Sequence, residues 1–203
     1  MTLFARVFGL VALGTLAFSG LSHIAHFQHL RRAIEAHGVL ARRRKGPQSL
    51  IAAGLVATEV ALPAVGFLAI SGLGSESERT RAVTFLLVAG VYLVLATYAL
   101  ALFSLRSGAP CGCASSSEPV NEWTVMRAAL LAALSLACVP LASLVTLRGP
   151  ESQVSVAVLA ALALGTVLWV LPAVLGTEVV AEDHSSDGSS AYVELVLPQG
   201  AAR

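Results

Sequence analysis

The chain has 203 residues, 56% of them hydrophobic and only 12% charged, with a mean hydropathy of +0.79. An ordinary globular domain carries about 25% charged residues. So short a chain cannot hide that apolar excess in a core; its surface must be apolar too, which excludes a soluble enzyme, a nucleic-acid-binding module and a disordered regulator. A net charge of +1 offers no field to attract a polyanion. The lipid bilayer is the expected partner, and nucleic acid is not.

A helix needs about 20 mostly apolar residues to cross the hydrocarbon. Five stretches qualify: residues 3–22, 50–73, 82–105, 123–147 and 154–175. They are rich in Leu, Ala and Val and do not alternate, which favours helices over barrel strands. The expected fold is an all-α integral membrane protein, a bundle of about five transmembrane helices. The first stretch has the length of a signal peptide, but its basic flank is weak and no clean A-x-A site follows. It is taken as a retained span.

The connections differ in character. Residues 23–49 place Phe27, Leu30 and Ile34 at helical spacing opposite Arg31, Arg32 and Glu35, and end on Arg42-Arg43-Arg44-Lys45. This pattern predicts an amphipathic helix lying in the headgroup plane after the first span. Residues 74–81 and 148–153 are short polar turns. Residues 104–122 hold a pair of cysteines, a run of three serines at 115–117 and Pro119. From residue 176 the chain is acidic and Ser-rich, the composition of a flexible, solvated tail; residues 191–197 within it have the pattern of a short strand.

Cys111-Gly112-Cys113 uses two of the three cysteines. The central glycine lets the backbone bend to close a strained ring or to wrap a soft metal. A strained, accessible disulfide is an oxidising one, suited to exchange with a partner thiol. Redox work, soft-metal binding and two incidental loop cysteines all remain open from this motif. Cys138, deep in the fourth span, has the character of a small packing residue.

Glu59 is the tenth residue of the second span, where an ionisable group is costly and functional by default. Pro63, one turn on, frees a backbone carbonyl for a polar pocket. Arg127 is the fifth residue of the fourth span. The second and fourth spans start from one face, which puts Glu59 about 13 Å and Arg127 about 6 Å deep at 1.5 Å per residue. The expectation is a polar intramembrane pair, Glu59 with Arg127. His23, His26 and His29 are three apart and share one broad helix face. His23 and His26 are candidates to hydrogen-bond a quinone carbonyl, and no metal site is assigned to the trio.

These features, in this order, resemble the MauE family within the broader DoxX-like group of four-helix membrane proteins. The matching pieces run over residues 6–147: Ser19-Gly20-Leu21-Ser22-His23 closing the first span, then Phe27-Gln28-His29-Leu30, then Glu59. The most specific piece is Pro110-Cys111-Gly112-Cys113 followed by Glu118-Pro119-Val120-Asn121-Glu122-Trp123-Thr124-Val125-Met126-Arg127. Members usually read C-G-C-F-G, whereas Ala114 and Ser115 follow here, and His23 stands where a Lys is common. The resemblance implies a four-helix core over residues 1–147, an additional helix over 148–175 and a tail over 176–203. It implies methylamine metabolism, and a redox role for Cys111 and Cys113 in maturing an exported, disulfide-containing client such as a methylamine dehydrogenase light subunit. A thioredoxin-like partner and a quinone acceptor would serve that chemistry, in the cell membrane.

Two arguments pull the orientation apart. Nine of the 13 Lys and Arg lie on the face carrying the Cys loop and four (Arg6, Arg79, Arg81, Arg148) on the other, which puts the Cys pair in the cytoplasm by the positive-inside rule. Disulfide formation asks for the outside. The outside is adopted, because arginines also anchor an amphipathic helix on anionic headgroups. The competing functions are a non-enzymatic assembly factor, in which the cysteines are incidental, and a copper-handling protein using the C-x-C pair.

Overall fold

The computed structural model describes residues 1–37, 46–72, 77–105 and 120–186, with residues 46, 47 and 171–186 described by backbone alone. Six helices follow in chain order: α1 (Thr2–Ala25), α2 (Phe27–His37), α3 (Gly46–Ser71), α4 (Glu78–Leu105), α5 (Glu122–Cys138) and α6 (Glu151–Ser186). No strand occurs among the described residues. Four segments are long and apolar enough to cross a membrane: Thr2–Ala25, Gln48–Ser71, Glu78–Leu105 and Glu151–Val170. The chain is therefore a multi-pass helical membrane protein.

α1 is the hub. It packs against α3, α5 and α6 and also touches α2 and α4. Of its apolar window 56% is buried inside the bundle, against 11% for α6, whose remaining surface faces outward. Leu13 and Leu16 of α1 are fully buried in one core with Ile70, Phe85, Val88 and Leu131. Removing α1 would take Leu13 and Leu16 out of that core.

The fourth expected span, 123–147, is not one helix. Asn121 caps α5, its side chain accepting from the Thr124 N–H at 2.9 Å. The regular helix stops after Cys138: Val139 keeps helical geometry at φ −61° and ψ −56°, but Pro140 has no N–H to continue the ladder. At 17 residues α5 is shorter than the usual span; residues 139–144 continue as turns and 145–150 as irregular chain. Irregular backbone at such depth needs its polar groups met inside the protein, and arginines meet them. Arg81 Nε donates to the Ala142 carbonyl at 2.8 Å, Arg6 Nη2 to the Arg148 carbonyl at 2.7 Å, and Arg148 to the Gly72 carbonyl. The Leu147 N–H donates to the Ile70 carbonyl at 2.8 Å. Three of the four basic residues counted on that face thus serve as carbonyl caps.

α2 forms where the amphipathic helix was expected, and it packs on the bundle. Its amphipathic pattern is present, but Leu30, Ala33 and His37 are buried against the bundle. His37 Nδ1 is 2.6 Å from the Tyr98 hydroxyl of α4, which ties the end of α2 to the bundle. The apolar face covers the helix ends like a lid, while Arg32 and Glu35 face outward. α6 runs to Ser186, taking in the first eleven residues expected for the tail; residues 191–197 lie outside the described residues. Cys138 is fully buried, its Sγ 3.9 Å from the Ala5 carbonyl, as a packing cysteine should be.

Candidate functional site

Beneath α2, among α1, α3, α4 and α5, lies a chamber of about 120 Å³. Its polar lining comes from His23, Glu59, Arg127, Thr15, Tyr98 and Thr124. Glu59 is only 1% exposed, and its carboxylate is engaged from α1. His23 Nδ1 lies 2.6 Å from Oε2, and the Ser19 hydroxyl donates to Oε1 at 3.1 Å. Ser19 and His23 are one turn apart on α1, so both reach the same carboxylate.

Close approach of the two helices makes this possible. A Cβ on Gly20 would lie 2.9 Å from Val60 Cγ2 and 3.1 Å from the backbone carbon of Glu59. Only a glycine lets α1 come that near α3 at this level. Pro63 lacks the N–H that would bond the Glu59 carbonyl four residues back, so the proline loosens the backbone of the residue that carries the buried acid.

The expected Glu59–Arg127 contact is not made. Both residues line the chamber, but Glu59 is already engaged by His23 and Ser19. The Arg127 guanidinium instead lies 5.1 Å from the centre of the Trp169 ring of α6, a cation–π geometry. α1 stands beside Glu59, and its Ser19 and His23 take the carboxylate expected for Arg127.

The histidine trio is divided. α1 ends at Ala25, and His26 sits at the bend with φ −120° and ψ 36°, so the three do not share one helix face. His23 is 5% exposed and lines the chamber. His26 is exposed, its Nδ1 bonded back to the Ser22 carbonyl at 3.1 Å. Exposed His29 lies edge-on to it, ring centres 6.3 Å apart. Among the described residues no three His, Cys, Asp or Glu side chains gather as a metal site would require.

Cys111 and Cys113 lie outside the described residues. The flanking positions are described: Leu102, near the end of α4, and Val120, before α5, both line the chamber. Sequence reasoning missed Thr15, Tyr98, His37 and Trp169. Thr15 and Trp169 carried no signal beyond a polar and an aromatic residue inside apolar spans, and His37 sat at the end of a helix assigned to the headgroups.

The arrangement can hold a small polar group. His23 Nε2 is buried and has no hydrogen-bond partner. With Nδ1 fixed by Glu59, the imidazole presents one defined nitrogen to the chamber. A ring-sized molecule with a carbonyl or hydroxyl oxygen fits that provision, and a quinone head is such a molecule.

A family model described as methylamine utilisation protein MauE matches residues 1–143. No curated protein and no solved structure matches.

Proposed function

The chain belongs to the methylamine utilisation protein MauE family, and on that premise we propose that it is a thiol–disulfide redox factor of the cell membrane. Cys111 and Cys113 exchange disulfides with an exported client, such as a methylamine dehydrogenase light subunit, directly or through a thioredoxin-like partner. A client dithiol reduces the Cys111–Cys113 disulfide and leaves as a disulfide, with two thiols regenerated on the pair. Two electrons and two protons must then leave Cys111 and Cys113 for the pair to close again. A quinone, held by His23 and its neighbours in the chamber, would supply an acceptor for both.

The observation that carries this reading is the buried His23–Glu59 pair with its unpartnered Nε2, in a chamber lined by residues on both flanks of the Cys segment. Glu59 holds the His23 ring in one orientation through Nδ1. His23 Nε2 would then be the atom left to hydrogen-bond a quinone oxygen, were one bound. Arg127 keeps positive charge beside the site, where negative charge develops on reduction. Such a wall of polar groups inside hydrocarbon is costly, which fits a chemical purpose better than a packing one.

The test is labelling of Cys111 and Cys113 in intact cells with a membrane-impermeant thiol reagent, before and after reduction. Labelling only after reduction supports an oxidised pair outside. Free thiols reached only after lysis overturn the oxidative role. A Cys111→Ser variant that matures its client normally overturns it too, in favour of an assembly factor.

A further inference from the structure

Thr15 and Trp169 each line two spaces. One is the polar chamber. The other is a groove of about 470 Å³ between α1 and α6, walled by Leu10, Val11, Phe67 and Val158. Its lips, Phe18 and Leu162, are 54% and 63% exposed, on the flank where an apolar helix can only meet lipid. The Trp169 indole stands between the two spaces. Phe18, which lines the groove, packs edge-on against it at 4.7 Å, and Arg127, which lines the chamber, lies on it at 5.1 Å. One side chain therefore separates the hydrocarbon from the buried polar groups.

The hydroxyl at this neck is anomalous. A threonine inside a helix usually bonds the carbonyl four residues back, as Thr58, Thr84, Thr97 and Thr166 do at 2.8–2.9 Å. Thr15 does not. Its Oγ1 is buried without a partner, as is His23 Nε2, and both residues are more than nine-tenths buried. Leaving either atom unmet is costly, so each calls for a hydrogen-bonding group. The groove beside them is also held open by glycines. A Cβ on Gly14 would meet nothing within 4 Å, and one on Gly165 would meet only Thr15 Oγ1, at 3.8 Å.

We propose that the α1–α6 groove is the lateral port and tail site for a lipid-soluble quinone, whose head passes Trp169 into the chamber while its isoprenoid or alkyl tail stays between the helices. This deepens the quinone reading of the chamber and rests on it. The groove offers no hydrophobic gain over lipid, since the bilayer is equally apolar. Its contribution is shape: it leaves the tail a path out while the head is enclosed. The head's oxygens meet the Thr15 hydroxyl at the neck and His23 Nε2 inside.

Trp123 and Trp169 are the two tryptophans of the chain, so a Trp123→Phe variant leaves Trp169 as a single fluorescent reporter at the neck. Full-length protein in nanodiscs is titrated with a decyl-tailed benzoquinone and with the tailless ring. Both are expected to quench Trp169. Gly14→Leu, which fills the groove, should raise the half-quenching concentration of the tailed quinone about tenfold and leave the tailless ring within about twofold. Gly165→Val is a second plug with the same expectation, and Gly54→Leu, another glycine with open space around it, is the control for partitioning. Equal sensitivity of the two quinones to the plugs overturns the port and leaves the chamber reading standing. Quenching by neither overturns both.

Discussion

His23 Nδ1 and Glu59 Oε2 are 2.6 Å apart inside the bundle, and both side chains are almost wholly withdrawn from the surface. The bond joins α1 to α3 and leaves one imidazole nitrogen facing a cavity. A contact that served packing alone could be replaced by two apolar side chains, and this distinction can be measured.

His23→Leu leaves the Glu59 carboxyl buried with Ser19 as its remaining partner, and should cost about 3 kcal/mol of stability. Glu59→Gln keeps an acceptor for Ser19 and a group that can bond the imidazole, and should cost about 1 kcal/mol. The double variant His23→Leu with Glu59→Leu should be more stable than His23→Leu alone, because no polar group is then stranded. Thermal unfolding in detergent reads all three. If the double variant also supports client maturation, the pair is structural and the proposed chemistry is wrong.

Gly20 and Gly54 are both helical glycines, and replacing each with alanine should act in opposite directions. At Gly20 the added methyl meets Val60 and Glu59 at about 3 Å, forcing α1 off α3 at a cost of about 1–3 kcal/mol. At Gly54 it meets nothing within 4 Å, and the gain in helix propensity should stabilise by about 0.5–1 kcal/mol. Melting temperatures of the two variants in one detergent decide the comparison.

The Arg6 guanidinium closes the Arg148 carbonyl at 2.7 Å and reaches Gln153 Oε1 at 3.4 Å. Gly149, at φ 149°, lies directly beneath it, a Cβ there falling 2.9 Å from Nη2. Gly149→Ala should therefore destabilise by about 1–3 kcal/mol through backbone strain and displacement of the arginine. Arg6→Gln should cost a comparable amount, since the Arg148 carbonyl loses a charged donor. The two losses should not add, because both break one contact. Full additivity of the two melting shifts would show that the clamp does not act as a unit.

Cys138 serves as an internal standard for thiol labelling. It is fully buried among α1 and α5 side chains. In a variant with Cys111 and Cys113 both replaced by Ser, a maleimide should leave the folded protein unlabelled and modify one thiol after denaturation. Labelling of the native double variant would mean that Cys138 is accessible, and would remove it as a standard.

Much of the fold was legible because lipid imposes a coarse rule. Long runs of Leu, Ala and Val have to be helices, and the runs in α1, α3 and α4 end close to where the helices end, while α6 continues past its run to Ser186. The fourth run failed at Pro140, whose missing N–H outweighs the apolar composition around it. Glu59 stood out because a buried acid is expensive, yet its partner did not. Depth along a helix can be counted from sequence, but which helices touch depends on small residues such as Gly20. Ser19 and His23, at i and i+4 beside that glycine, were the available signal. The lid position of α2 was hidden for another reason: an amphipathic pattern records that one face is covered, and both a headgroup layer and a neighbouring helix can cover it.

The central position of α1 also bears on how the molecule is made. Synthesis runs from the N-terminus, so the helix that will touch all five others enters the membrane first and waits there. Each later helix then docks on a template already in place instead of searching for one. The end of the bundle held by Arg6 follows a different schedule, because its acceptor, the Arg148 carbonyl, is translated after five of the six helices. Until Arg148 emerges, Arg6 has no carbonyl to close on, and a ribosome stalled short of residue 148 would carry a bundle that lacks this one fastening.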